Sequence, residues 1–256
     1  SYFATQIGIP FIFAFIIGII LTGLLGFVLE RTFLRPMVGE PVFSVAVLTI
    51  GIDILLRVVL DNWIGINPKY MGDPFPSYGN FGSLNIGGLT VKYLEVTALI
   101  TSLILIFILS VFFKRSKYGV AMRATSLDQE AALAQGINVG RVFGLVWFIA
   151  GLLAAFAGFF ITGGFNTLTN TSFISALRAL PAVVIGGLDS ITGAIIGSLI
   201  IGLTQAYVGY YQFDIESAYN IKLGNGFSIV APYLIMFVIL LVKPHGLFGT
   251  EEVERV

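Results

Sequence analysis

The sequence predicts an all-α membrane protein, a polytopic helical bundle that forms one transmembrane domain over residues 1–256. Of the 256 residues, 57% are hydrophobic and only 11% are charged, and the mean hydropathy is +0.95. A soluble domain carries roughly 25% charged residues, so this composition excludes a soluble protein. No segment alternates polar and apolar residues with period two, so helices are favoured over barrel strands as the elements that satisfy the backbone in lipid.

Six segments are long and apolar enough to be spanning helices, because about 20 residues at roughly 1.5 Å each cross a hydrocarbon core of about 30 Å. They are residues 9–29, 42–60, 94–113, 141–162, 190–210 and 228–243. Small residues recur at every fourth position in two of these spans, which predicts faces that pack closely on other helices. The two rows are Ala150, Ala154, Gly158 and Thr162, and Ala194, Ser198, Gly202 and Ala206.

Basic residues are distributed unevenly between the two sets of loops. Nine lie on one side and three, Lys69, Lys92 and Lys222, lie on the other. The nine are Arg31, Arg35, Lys114, Arg115, Lys117, Arg123, Arg141, Lys243 and Arg255. The positive-inside rule makes the nine-residue side cytoplasmic, with the C-terminus inside and the N-terminus outside. Because the chain begins with Ser1 and has no cleavable signal segment, we expect a missing upstream helix or a processed N-terminus.

A short apolar stretch near 173–187 is interrupted by residues that a spanning helix resists. Pro181 lacks a backbone donor, and Gly186 and Gly187 permit a turn. A broken half-helix is one interpretation, and such breaks often line transport paths. A tight cytoplasmic turn between two full helices is the other. Arg178 and Asp189 flank the element and are candidates for the same path.

Asp53 and Arg57 are charged residues inside the second span, four residues apart and therefore on one helical face. Each alone costs about 2.5–3.5 kcal/mol at the bilayer centre, and pairing offsets part of that cost. The pair is either a polar wall for a translocated solute or an internal ion pair that fixes the rotation of the helix.

The loop between the third and fourth spans is too polar to cross a membrane and predicts a short helix near 127–135. Ser126 and Gln129 fit a capping box, and Gly136 supplies a left-handed stop. Glu130, Ala131 and Ala132 present one charge and two small side chains, a surface that the groove of a partner protein could approach closely.

The same loop carries a family resemblance. Its Glu130-Ala131-Ala132-x3-Gly136 pattern resembles the EAA loop of ABC importer membrane subunits, the coupling helix that sits in a cleft of the ATPase subunit. The surrounding sequence resembles the permeases of branched-chain amino-acid ABC transporters, as do three further segments in the same order. Those segments are LERTFLRPM at 29–37, VVIGGLDSITGAIIGSLIIG at 183–202 and LLVKPHGLFG at 240–249. The resemblance covers nearly the whole chain.

The resemblance implies a permease subunit in the plasma (inner) membrane of a prokaryote, coupled to separate cytoplasmic ATPase subunits by alternating access. Its other expected partners are a second, homologous permease, an extracytoplasmic solute-binding protein and membrane lipid, with no nucleic acid. The chain has no G-x-x-x-x-G-K-[ST] loop, so ATP and magnesium belong to the ATPase and this chain binds no cofactor. The predicted coupling residues are Arg123, Asp128, Glu130, Ala131, Ala132 and Gly136. The predicted translocation-path residues are Asp53, Arg57, Arg178, Pro181, Gly186, Gly187 and Asp189.

Two other function classes have less support. A stand-alone secondary transporter or channel would need several carboxylates inside its spans, and only Asp53 clearly qualifies. An intramembrane enzyme would need a nucleophile with a base, or a metal site, yet the chain has no cysteine and one histidine, His245, in a predicted terminal turn. We therefore expect no catalytic and no metal-binding residues. The solute is expected to be a branched-chain amino acid, another amino acid, an amide or urea.

Overall fold

The computed structural model describes residues 10–65, 67, 69–70, 83–86, 89–163, 167–168, 177, 179–220, 224 and 226–249. Within this part of the chain, five helices are long and apolar enough to cross a membrane, and a sixth apolar helix is shorter. The predicted all-α polytopic fold is therefore confirmed. Contacts divide the chain into two compact units, residues 1–170 and residues 171–256.

The first unit contains four of the long helices and the loop predicted to couple. Its helices are α1 (Phe11–Leu29), α2 (Val42–Ile64), α3 (Tyr93–Arg115), α4 (Lys117–Leu127), α5 (Gln129–Ala134) and α6 (Val139–Gly163). A π-helical turn, Glu30–Leu34, and a 3-10 turn, Arg35–Met37, extend α1. Short strands form two antiparallel pairs, β1 (Lys69–Tyr70) with β4 (Thr167–Leu168), and β2 (Ser83–Ile86) with β3 (Leu89–Lys92).

Helices α1 and α6 of the first unit touch backbone to backbone. A Cβ added at Gly26 would lie 2.5 Å from the carbonyl oxygen of Trp147, and one added at Gly151 would lie 2.5 Å from that of Thr22. No side chain fits in that space, so glycine is required at both positions for the two helices to approach this closely. The pair α1 and α6 therefore forms the closely packed part of this unit.

The second unit is built around a half-helix. It contains α7 (Leu180–Gly186), α8 (Ile191–Tyr219) and α9 (Phe227–Val242). Pro181 lies in the first turn of α7, where its missing donor costs no hydrogen bond, and Gly187 ends the helix at φ +103°. The short broken helix predicted near 173–187 is thus present as seven residues; positions 173–176 and Arg178 lie outside the described residues.

The C-terminal segment closes the open end of the half-helix α7. The amide of Leu247 donates to the carbonyl of Ile185 at 2.7 Å, and the amide of Phe248 donates to that of Gly186 at 3.1 Å. These bonds satisfy carbonyls that the end of a helix leaves without partners. The contact explains why a Gly-rich tail follows α9, and it places His245 in a turn, as predicted.

The close contacts do not fall on the two predicted rows of small residues. Along α8 the contact face is Gly193, Gly197 and Ile201, which are buried, whereas Ser198, Gly202 and Ala206 are exposed. Along α6 it is Gly144 and Gly151, whereas Ala150, Ala154 and Gly158 are exposed. Six of the eight predicted residues therefore lie off the contact faces within the described chain, whereas Thr162 is 3% exposed and Ala194 is half-buried.

Candidate docking site at the basic end of the first unit

The predicted coupling loop folds as two helices joined at one residue. Helix α4 starts at Lys117, where the Ser116 hydroxyl accepts a hydrogen bond from the Gly119 amide at 2.9 Å. Helix α5 starts after Asp128, whose Oδ1 accepts from the Ala131 amide at 2.9 Å. The predicted bounds of 127–135 are therefore close to the observed Gln129–Ala134, while α4 was not predicted.

The predicted capping box is wrong. Ser126 is still inside α4, so its hydroxyl bonds the carbonyl of Arg123 at 2.9 Å. Asp128 has the extended backbone that an N-cap needs, with φ −159° and ψ 113°. The N-cap of α5 is therefore the carboxylate of Asp128, two residues after the predicted hydroxyl of Ser126.

We expect Asp128→Ala to destabilise α5 by about 1 kcal/mol, because it removes the N-cap and leaves the amide of Ala131 without its acceptor. Hydrogen exchange measured over residues 129–134 should then be about fivefold faster, as that loss of local stability dictates. Ser126→Ala is the matched control and should leave this exchange unchanged. Equal acceleration by both variants would show that the assignment of the cap is wrong.

Gly136 ends α5 at φ +77°, as predicted. Its amide donates to the carbonyl of Leu133 at 2.9 Å, and the amide of Ile137 donates to that of Ala132 at 3.0 Å. This pair of bonds is a Schellman motif, which fixes the direction in which the chain leaves a helix. The Asn138 side chain then accepts from the amide of Arg141 at 3.0 Å and starts α6. Helix α5 is consequently short, capped at both ends and joined to α6 by a defined turn.

Only part of the predicted docking surface faces outward. Glu130 and Ala131 are exposed, but Ala132 is 3% exposed and faces its own chain, so its prediction as a docking residue is corrected. Two leucines on the exposed side were not predicted from the sequence: Leu133 is 57% exposed and Leu127 is 87% exposed. The signal in the sequence for this apolar surface was the presence of leucines in an otherwise polar loop. The outward surface of α5 is therefore acidic and apolar together.

Arg123 holds α4 against the preceding span. Its guanidinium donates to the carbonyl of Phe113 in the last turn of α3, a favourable place for a cation at a helix C-terminus. The residue is exposed, but its contact lies within the chain. Its position supports the placement of the loop, while its predicted part in coupling stays a prediction.

A buried acid beside this loop was not predicted from the sequence either. Glu30 is 2% exposed and forms a bidentate ion pair with Arg35, at 3.1 Å and 2.9 Å. The Arg35 Nη2 atom donates in addition to the carbonyl of Gly140 in α6, at 2.6 Å. The motif LERTFLRPM contains both residues, but nothing in its spacing indicates that they pair.

An apolar groove of about 820 Å³ lies beside α4. Side chains from α1, α3, α4 and α6 form its walls, and Lys117, Asn138 and Arg141 supply polar groups. The ends of α1 and α3 and the start of α6 thus meet at one end of the unit. This agrees with the sequence prediction that the first and third loops lie on the same side.

The predicted path residues fall into separate groups. Asp53 and Arg57 pair as predicted, with Arg57 Nε 2.8 Å from Asp53 Oδ2 and Arg57 Nη2 3.0 Å from Asp53 Oδ1, and the Asp53 side chain is 57% exposed.

In the second unit, Pro181, Gly186 and Gly187 are buried against protein, and Asp189 is exposed beside them. Their predicted part in translocation is not tested by these positions, and Arg178 lies outside the described residues. Among the described residues, no group of three or more His, Asp or Glu could hold a metal ion.

These features define a class: a multi-pass helical membrane protein with a short capped helix exposed where three of its spans end. The family model described as the permease component of the branched-chain amino acid transport system matches residues 1–242, and the chain belongs to that family. It is thus the permease subunit of an ABC importer.

Individual relatives agree with this assignment. The chain is 28% identical to the high-affinity branched-chain amino acid transport system permease protein BraD of Pseudomonas aeruginosa, covering 95% of this chain and 76% of that one. It is 30% identical to the corresponding protein LivH of Salmonella typhimurium, covering 94% and 75%. A shorter match, 31% identical over 66% of this chain and 52% of the relative, is to the ribose import permease protein RbsC of Bacillus subtilis. No solved structure matches the chain.

Proposed function

We propose that this chain forms the translocation path for a branched-chain or related amino acid and that α5 is where a separate ATPase subunit docks. The observation that carries the docking proposal is the exposed surface of α5, where Glu130 and Leu133 face outward on a helix capped at both ends. Docking surfaces combine an apolar centre with polar groups around it. Because α5 is capped at both ends, it can move as a rigid element and transfer motion of the ATPase to the adjoining spans.

The solute is proposed from the relatives. BraD and LivH are named as permeases for branched-chain amino acids, and both align with nearly the whole of this chain. The match to the ribose permease RbsC covers less of both proteins, so it carries less weight for the solute. A leucine-like amino acid is therefore the first solute to test, followed by other amino acids, amides and urea.

The partners follow from the division of labour in such an importer. A second permease, either identical or homologous, completes the path, and an extracytoplasmic binding protein delivers the solute. The ATPase subunits hold ATP and magnesium, and this chain has no phosphate-binding loop of its own. We place the basic end of the first unit in the cytoplasm of a prokaryote, since Arg35, Arg123 and Arg141 gather there. The C-terminus is placed on the same side by the positive-inside rule, since Lys243 and Arg255 follow the last span.

We propose different roles for the two groups of path residues. The Asp53 carboxylate is largely exposed from the described chain, which suits a polar wall facing the solute or the second permease. Pro181, Gly186 and Gly187 hold the half-helix α7 in place, and Asp189 and Arg178 flank it. In this mechanism, closure of the ATPase pair pushes on α5, and the adjoining spans tilt to exchange outward and inward access.

Reconstitution tests this function. The chain is placed in proteoliposomes with its ATPase, second permease and binding protein, and uptake of radiolabelled leucine is measured. We expect uptake only with ATP and magnesium, and no uptake driven by a proton or sodium gradient. Uptake by this chain alone, following an ion gradient, would contradict the proposal and support a stand-alone transporter.

A further inference from the structure

An ion pair beside the coupling loop combines a buried carboxylate, Glu30, with a guanidinium, Arg35, that is 37% exposed and also bonds a helix distant in sequence. The Glu30 side chain is 2% exposed, although it follows a 19-residue apolar helix. A carboxylate is costly to bury unless it is paired and hydrogen-bonded, and here Arg35 satisfies both of its oxygens. The chain thus buries a costly charged group directly after an apolar helix.

The local helix geometry is adapted to form this pair. Residues five apart point to different sides of an α-helix, which turns once in 3.6 residues. Glu30–Leu34 is instead a π-helical turn, whose i→i+5 bonding brings residues five apart toward the same side. The change of winding at the end of α1 thus brings Glu30 and Arg35 toward the same side, where they meet.

Arg35 then reaches outside its own helix. Its Nη2 atom donates to Glu30 Oε2 at 2.9 Å and to the carbonyl of Gly140 at 2.6 Å. Gly140 is the second residue of α6, four residues after the Gly136 that ends α5. A Cβ at Gly140 would lie 3.2 Å from the guanidinium carbon, so glycine leaves room for this contact. The pair fixes where the turn after α5 stands relative to α1.

We infer that Arg35, oriented by Glu30, is a positioning residue that ties α1 to the start of α6 so that motion of α5 moves both spans together. The inference rests on the proposed function, in which α5 receives the push. Glycine contacts already hold α1 and α6 together farther along their length. The ion pair adds a polar link at the end nearest α5, where force enters, and a planar guanidinium shared by two acceptors resists rotation better than an ammonium does.

The test compares two lysine variants in the reconstituted full complex. Arg35→Lys keeps the positive charge but removes the planar guanidinium that donates to two acceptors. Arg31→Lys makes the same change at a nearby exposed position. We expect Arg35→Lys to keep its bound ATPase but to move about tenfold less leucine per ATP hydrolysed, the effect of losing one charge-assisted hydrogen bond. Arg31→Lys should match the wild type. Glu30→Gln should lower the ratio in the same direction, with Glu40→Gln as its exposed control.

A second readout separates positioning from general stability. The chain has no cysteine, so nitroxide labels can be placed at Val28→Cys and Val120→Cys, both 52% exposed, and the distance between them measured. We expect one narrow distribution in the wild type in each nucleotide state, and a broadened one in Arg35→Lys.

Three results would overturn the inference: unchanged coupling and distances in Arg35→Lys, an equal loss in Arg31→Lys, or failure of both Arg35→Lys and Glu30→Gln to assemble with the ATPase. If the wild type itself shows no ATP-driven uptake, the proposed function fails, and the label distances alone decide whether Arg35 fixes α1 relative to the loop.

Discussion

Leu133→Asp should abolish binding of the ATPase subunit while the chain still inserts in the membrane. Leu133 is 57% exposed on α5, so the change disturbs little internal packing. In a docked complex, however, an aspartate there would be desolvated without a partner. Loss of a central interface side chain costs about 2 kcal/mol or more, which weakens binding at least about thirtyfold. Co-purification in mild detergent and titration of the reconstituted complex measure the loss, and ATP-linked uptake should disappear with it.

Two further variants make this result specific. Leu133→Met keeps the apolar contact and should bind the ATPase normally. Glu130→Lys reverses the exposed charge on the same helix and should also weaken docking and uptake without affecting insertion. If Leu133→Asp and Glu130→Lys together left ATPase binding and uptake at wild-type levels, the coupling surface would have to lie elsewhere in the chain.

The second large effect is expected at Gly193, where α8 crosses the half-helix α7. A Cβ at Gly193 would lie 2.0 Å from the carbonyl oxygen of Gly186, and one at Gly197 would lie 2.0 Å from that of Ala182. The obstructing atoms are backbone, so no side-chain rotation can relieve the clash. Overpacking of this kind costs about 1–3 kcal/mol, and we expect Gly193→Ala to be at the upper end because two helices must separate.

Gly202→Ala is the matched control for this prediction. Gly202 lies in the same helix, but an added Cβ would meet nothing within 4 Å. Replacing glycine in a helix by alanine stabilises it by up to about 1 kcal/mol, so this variant should be neutral or slightly more stable. Unfolding by denaturant in detergent micelles compares the two. Equal stability of Gly193→Ala and the wild type would show that α7 and α8 do not approach as described.

Features that depend on local chemistry were predictable from the sequence. The spans follow from length and hydropathy, and the observed helices agree with the predicted bounds within a few residues, except at the C-terminal end of α8, which extends from the predicted residue 210 to Tyr219. The Asp53–Arg57 pair follows from helical spacing. The left-handed stop at Gly136 follows from the conformational freedom of glycine. Each of these depends on residues within a few positions of one another.

Features that depend on packing between distant segments were not predictable in the same way. Ala132 looks like a surface residue from its neighbours, but the turn after α5 directs it inward. The rows of small residues were assigned by spacing alone, which does not say which side of a helix another helix covers. The Glu30–Arg35 pair requires a π-helical turn and a carbonyl in α6, and no rule of helical periodicity indicates either.

In the proposed function, α5 lies in the cytoplasm and is covered by the ATPase. Leu133→Cys introduces a single thiol into a chain that has none, and a membrane-impermeant maleimide reports from which side it can be reached. We predict labelling only from the cytoplasmic side, and protection when the ATPase subunit is bound. Labelling from the outside, or equal labelling with and without the ATPase, would show that α5 is not the docking helix.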